Sequence, residues 1–155
     1  MIRAAKFSDI PRLIELMADG YSRSRYRERS AFDPKEARSL LMNCIQRHGS
    51  PGEGGSTVMV SDPVESFIIG IMERVYFVGT ALVAKDLLFY ATEKSSPFDS
   101  VGLLNAYVDW AKANPKVIEI QLSATDIIEE TGAAEAMYRH MGFRRSGALY
   151  ERSVP

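Results

Sequence analysis

The sequence predicts a mixed α/β fold, one domain spanning residues 1–155 in which helices flank a central sheet. Two amphipathic helix patterns follow a short strand at the N-terminus. Three strand-period segments then come in succession in the middle of the chain, and strand alternates with helix in the last third. At 155 residues the chain is long enough to bury a core of its own.

Each element has a local reason. Ile2-Arg3-Ala4-Ala5 reads as a short strand, and Ser8 is the expected N-cap of a helix with Ile10, Leu13, Ile14, Leu16 and Met17 on its apolar face. A second helix is expected from Pro34 to Arg47, capped by Asp33 with Pro34 at N1. Its apolar stripe is Ala37, Leu40, Leu41, Cys44 and Ile45. Strands are expected over Thr57 to Ser61, Phe67 to Phe77 and Leu82 to Ala91, with a turn at Asp62-Pro63. A long helix from Pro97 to Lys112 leads to the strand Val117 to Leu122, where apolar and polar residues alternate. The final helix covers Ala133 to Tyr138 and stops at Gly142, a residue suited to a left-handed cap. Phe143 to Arg152 is expected to form one or two closing strands.

Composition excludes several function classes. A hydrophobic share of 46% with 25% charged residues describes an ordinary globular protein. A net charge of −1 offers no global attraction to nucleic acid or to an anionic membrane. The lone Cys44 builds neither a disulfide nor a metal cluster, and its place on an apolar stripe makes it a buried small hydrophobe. The two histidines, His48 and His140, lack neighbours spaced as metal ligands, and His140 is expected at the surface. Lys6, Asp9 and Arg12 interrupt the first apolar residues, and no apolar run approaches ~18 residues, so a cytoplasmic protein is expected.

The strongest functional clue is Tyr138, placed by a short helix just past the end of a strand. A phenol of pKa ~10 lies close enough to a thiol of ~8.5 for proton transfer to a departing thiolate to be nearly balanced. The alternative is a tyrosine that only packs, since aromatic residues on short helices usually belong to the core.

The order strand-helix-helix-strand-strand-strand-helix-strand-helix-strand resembles the GNAT superfamily of acyl-coenzyme A dependent N-acyltransferases. The opening IRAAKFSDIPRLIELM and the closing AAEAMYRHMGFRRSG carry the most specific part of the resemblance. It implies a splayed, mostly antiparallel central sheet, acetyl-coenzyme A as co-substrate, and an amine acceptor that is a small molecule or a protein. It also implies Tyr138 as general acid toward the leaving thiolate. Asp86 stands where the family often has an acid that takes the amine proton through water, and Glu73 is the reserve candidate, expected over the same cleft. Asp86 pairing with Lys85 or an arginine is the structural alternative for that carboxylate. Edge-strand pairing in the family allows a homodimer.

The resemblance further implies that the backbone of Leu88, Phe89, Tyr90 and Ala91 pairs with the pantetheine arm. Strand alternation puts Asp86, Leu88 and Tyr90 on one face and Leu87, Phe89 and Ala91 on the other. The pyrophosphate loop departs from the family pattern: Ser95 stands at the usual Arg/Gln position, and Phe98 and Ser100 at two glycine positions. Lys94, Ser95, Ser96, Ser100 and the amide of Val101 are the remaining candidates for holding phosphate. Ser96-Pro97-Phe98-Asp99 itself reads as a self-contained helix start with Ser96 as cap and an acid at N3.

Acceptor binding is expected in the loop Tyr21 to Phe32, at Tyr21, Arg25 and Tyr26. Its arginines at 23, 25, 27 and 29 suit either an acidic partner or a solvated, mobile loop. An inactive GNAT-like module that engages a protein partner through this loop is therefore the alternative function. The glycine-rich stretch His48 to Ser56 lacks a P-loop ending and is expected to be a flexible connector.

Overall fold

The computed structural model describes residues 1–128 and 132–155. Its sheet has five strands: β1 (Ile2–Ala4), β2 (Ser56–Ser61), β3 (Ser66–Arg74), β4 (Leu82–Ala91) and β5 (Val117–Gln121). They lie in chain order, antiparallel from β1 to β4, with β5 parallel to β4. Among the described residues four α-helices flank it: α1 (Ile10–Arg23), α2 (Pro34–Gln46), α3 (Pro97–Lys112) and α4 (Gly132–His140). Short 3₁₀ turns occupy Phe7–Asp9 and Arg25–Glu28.

The sheet is covered on both faces. On one, Ile10, Leu13 and Leu16 of α1 and Leu41 and Cys44 of α2 pack on Val58, Val60, Phe67, Ile69 and Tyr90. On the other, Leu103, Leu104, Tyr107 and Ala111 of α3 and Tyr138 of α4 pack on Ile68 and Ala84. Strand alternation sends neighbours such as Ile68 and Ile69 to opposite helix layers, which explains the nearly unbroken burial of β3. Cys44 is buried as expected, and desolvation raises its thiol pKa.

The caps follow mostly expected chemistry. Asp33 accepts from the amides of Lys35 (2.8 Å) and Glu36 (3.2 Å) at the start of α2. At α1 the cap falls on Asp9 rather than Ser8, because the preceding turn is 3₁₀ and Asp9 serves the chain ahead of it. Its carboxylate accepts from the Lys6 amide at 2.7 Å and pairs with Arg3 at 2.8 Å, a guanidinium hydrogen bond that lowers the carboxyl pKa.

Three further expectations are corrected. β3 ends at Arg74, and Tyr76, Phe77 and Val78 form an exposed turn in which Phe77 has φ 65°. His48 to Ser56 is tied down instead of loose: Gly54 N donates to Met72 O (2.8 Å), Met72 N to Gly55 O (2.8 Å), and Asn114 Nδ2 to Pro51 O (2.9 Å). The arginine-rich loop is solvent-exposed as expected, and its arginines are also engaged with their own chain. Arg25 pairs with Asp126 (3.3 Å) and Glu151 (2.7 Å), and Arg29 donates to Val154 O. Finally, among the described residues none from Phe143 onward forms a strand, and Leu149 and Tyr150 are 83% and 91% exposed. Arg144-Arg145-Ser146-Gly147 interrupts any alternating apolar face, and Arg145 Nε turns back onto Gly147 O at 3.2 Å.

No helix among the described residues is long and apolar enough to cross a membrane.

Candidate functional site

The site is built where β4 and β5 part. Their parallel register runs from Leu82 opposite Val117 to Lys85 opposite Gln121, and then the strands diverge. β4 continues to Ala91 with Leu88, Phe89, Tyr90 and Ala91 paired to β3, and among the described residues their other edge has no strand neighbour. A side chain holds the vertex of this opening. The Asp86 carboxylate accepts from Ser123 N at 2.8 Å and Ser123 Oγ at 2.9 Å, replacing the next backbone rung. Burial raises the Asp86 pKa against these two stabilising hydrogen bonds.

Two tyrosines converge on the same turn. Tyr107 of α3 donates from its hydroxyl to Gln121 O at 3.0 Å, and Tyr138 of α4 to Ser123 O at 2.9 Å. Both are buried, and desolvation followed by the charge of Asp86 raises both phenols, that of Tyr138 to about 12. The near balance expected between Tyr138 and a thiolate is therefore corrected. A phenol near 12 gives up its proton to a thiolate of ~8.5 only uphill, although it remains a good hydrogen-bond donor.

Gly70 explains how Tyr107 reaches the vertex. A Cβ there would lie 2.6 Å from Tyr107 Cε2, so only glycine lets the ring lie against β3. A bulge sits at the same level: Ile69 faces Leu88 and Gly70 faces Asp86, which leaves Leu87 as an extra residue in β4. The bulge corrects the expected alternation. Phe89 packs with the α3–α4 layer and Tyr90 with the α1–α2 layer, and Asp86 acts on the two tyrosines of the α3–α4 side, so Asp86 and Tyr90 face opposite ways.

Glu73 is separated from the vertex as well. It stands on the strand face of Ile69 and pairs with Lys85 across β3 and β4 at 2.6 Å, away from the layer that holds Tyr138. Lys85 thus serves Glu73 and not Asp86. Tyr107, Gln121 and Ser123 are members of the site that sequence reasoning missed. The available signal was an isolated glycine, Gly70, inside a strand pattern.

Beyond β4 the chain is anchored by Thr92, whose amide donates to Glu65 O (3.0 Å) and whose hydroxyl donates to the Glu65 carboxylate (2.9 Å). Arg12 holds the same carboxylate at 3.0 Å, and these contacts depress its pKa, the Thr92 hydrogen bond most. The helix start that follows is self-contained as expected. Phe98 N donates to Ser96 Oγ (3.3 Å), Asp99 N to Ser96 O (2.9 Å), and Ser96 N to the Asp99 carboxylate (3.3 Å). Pro97 has no amide hydrogen. The α3 terminus therefore presents a carboxylate and bonded amides at the place where the resemblance leads one to expect a pyrophosphate. Beside it the Ser95 hydroxyl is buried without a hydrogen-bond partner among the described residues, Ser100 is half-buried, and Lys94 is exposed.

A cleft of about 1230 Å³ opens beside β5, bordered by Ser123, Tyr138, Phe143, Leu149, Arg25 and Tyr26. The expected acceptor residues part company here. Arg25 and Tyr26 border this cleft, whereas Tyr21 turns away, its hydroxyl on Ser30 O and its ring 5.6 Å from Phe32. His140 is exposed at the end of α4, and the described residues contain no group of three or more His, Cys, Asp or Glu able to hold a metal ion.

Comparison with known proteins agrees with this architecture. No family model matches the sequence, and no curated protein does. Solved structures match over nearly the whole chain. A transcriptional regulator from Bacillus halodurans C-125 superposes with a TM-score of 0.74 at 14% identity, covering 99% of each chain. The ribosomal-protein-alanine N-acetyltransferase from Brucella melitensis biovar Abortus 2308 gives 0.69 at 13% identity, again over 99% of each chain. The glucosamine-6-phosphate N-acetyltransferase from Arabidopsis thaliana gives 0.69 at 10% identity, covering all of this chain and 98% of that one. The protein shares its fold with these solved acetyltransferases.

Proposed function

We propose that this GNAT-fold protein is an N-acetyltransferase that moves an acetyl group from acetyl-coenzyme A to an amine by direct attack. The observation that carries the reading is the vertex itself: Asp86, Tyr107 and Tyr138 meet where β4 and β5 part, beside an unpaired β4 edge. The amine nitrogen would bond to the thioester carbonyl carbon and the carbon–sulfur bond would break. Asp86, made more basic by burial, takes up the amine proton through water. Tyr138 supplies a hydrogen bond to the departing sulfur after its hydroxyl rotates away from Ser123 O. Its raised pKa favours that donor role over complete transfer of the proton.

The residues fit one part of the co-substrate better than the other. The open edge of Leu88 to Ala91 suits the pantetheine arm, as a strand of amide groups would. The α3 start is a poor cradle for pyrophosphate, so phosphate contacts fall to Lys94, Ser95, Ser96 and Ser100. That misfit favours a second reading, a GNAT-fold module without transferase activity. Incubation with acetyl-coenzyme A and a panel of amines, followed by mass spectrometry, separates the two. Acetylated product that falls in Tyr138→Phe supports the enzyme, and absence of product with every amine supports the module.

A further inference from the structure

The open edge of β4 and the turn that follows it suit different lengths of one donor. The edge runs from the vertex at Asp86 to Ala91, and the chain then turns through Thr92 to Ser96 into α3. An extended arm laid along that edge from the vertex therefore ends at this turn.

The turn has no amide left to offer there. Lys94 N donates to Thr92 Oγ1 (3.2 Å), Ser95 N to Thr92 O (3.0 Å), Ser96 N to the Asp99 carboxylate (3.3 Å), Phe98 N to Ser96 Oγ (3.3 Å) and Asp99 N to Ser96 O (2.9 Å). Pro97 has no amide hydrogen, so every backbone donor from Lys94 to Asp99 is accounted for. Positive charge is short as well. In the stretch from Thr92 to Val101 the acids Glu93 and Asp99 face a single cation, Lys94. Phe98 adds an apolar ring, 85% exposed, at the second position of α3. What remains is the Lys94 ammonium with the hydroxyls of Ser95, Ser96 and Ser100, and the Ser95 hydroxyl is buried without a partner among the described residues. One ammonium and a few hydroxyls match a single phosphate group, not a pyrophosphate with a nucleotide behind it.

We propose that this chain recognises its donor as a thioester of 4′-phosphopantetheine and leaves the nucleotide of coenzyme A unread. The inference rests on the transferase reading and narrows it. The β4 edge takes the amides of the arm, Lys94 with Ser95 and Ser100 takes one phosphate, and the adenosine end adds nothing to affinity.

The test titrates acetyl-coenzyme A, acetyl-4′-phosphopantetheine and acetyl-pantetheine separately into the full chain by calorimetry. A charge-assisted hydrogen bond is worth about tenfold or more in affinity, so two of them to a pyrophosphate would separate the first two probes by ~100-fold. Here they should agree within about threefold, and acetyl-pantetheine, which lacks the phosphate, should bind about tenfold more weakly. Lys94→Ala should weaken acetyl-4′-phosphopantetheine severalfold and leave acetyl-pantetheine unchanged. Asp99→Gly, which frees amides at the start of α3, should create a severalfold preference for acetyl-coenzyme A. A larger preference for acetyl-coenzyme A in the unaltered chain, equal binding of acetyl-pantetheine, no loss in Lys94→Ala, or unchanged relative affinities in Asp99→Gly overturns the proposal and leaves the transferase reading standing. Binding of none of the three probes overturns both.

Discussion

The vertex of β4 and β5 and the start of α3 lie at two ends of one proposed co-substrate path, and their polar groups are deployed in opposite ways. At the vertex, Asp86, Tyr107 and Tyr138 converge on the segment Gln121 to Ser123, and their hydrogen bonds hold these side chains beside a cleft. At α3, Ser96 and Asp99 satisfy the helix with its own side chains, so its amides are turned inward. Under the proposed transferase reading, the fold would keep its acyl-transfer arrangement while relinquishing the usual means of gripping a pyrophosphate. Under the transferase reading, the contrast would place the burden of affinity on the β4 edge and on Lys94, Ser95 and Ser100.

The largest effect is expected at the vertex. Tyr138→Phe should lower kcat by roughly a hundredfold, within the usual span for a positioned proton donor, with acetyl-coenzyme A affinity nearly unchanged. Steady-state kinetics beside a binding titration checks this, and unchanged turnover would remove Tyr138 from the chemistry. Gly70→Ala would drive a methyl into Tyr107 and should destabilise the fold by about 1–3 kcal/mol, read by denaturant unfolding.

How much of this was legible depended on how local the signal was. Asp33 capping α2 and the Ser96–Asp99 start were readable because a cap is written within four residues. The faces of β4 beyond Asp86 were not, since the bulge at Leu87 arises from pairing with β3 and resets alternation without a turn residue to announce it. Tyr138 was legible as a clue but its pKa was not, because burial is a property of the packed vertex. Likewise the separation of Glu73 from Asp86 follows from strand face, and the missing strands after Phe143 from a segment whose apolar residues lack alternation.

Smaller effects sharpen the contrast further. Asp99→Gly removes the carboxylate from the positive end of α3 and frees amides, and should tighten acetyl-coenzyme A binding severalfold despite a small loss of helix stability. Weaker binding in that variant would show that the capped start is itself part of the site.

The vertex also has a pH signature. Tyr138 stays protonated in the folded state up to about 12, whereas an unfolded tyrosine ionises near ~10. Its contribution to stability is therefore complete below about pH 10 and is lost as pH rises toward 12. Thermal unfolding across this window should show a steeper alkaline decline in the wild type than in Tyr138→Phe, and identical slopes would place the hydroxyl in water.

The most direct measurement is calorimetric titration of the full chain with acetyl-coenzyme A at moderate salt, because every form of the transferase reading requires that complex. Saturable binding in the micromolar range, weakened by added salt as Lys94 is screened, is the predicted result. No heat of binding up to millimolar acetyl-coenzyme A would contradict the account and leave the vertex as part of a GNAT-fold module with another task.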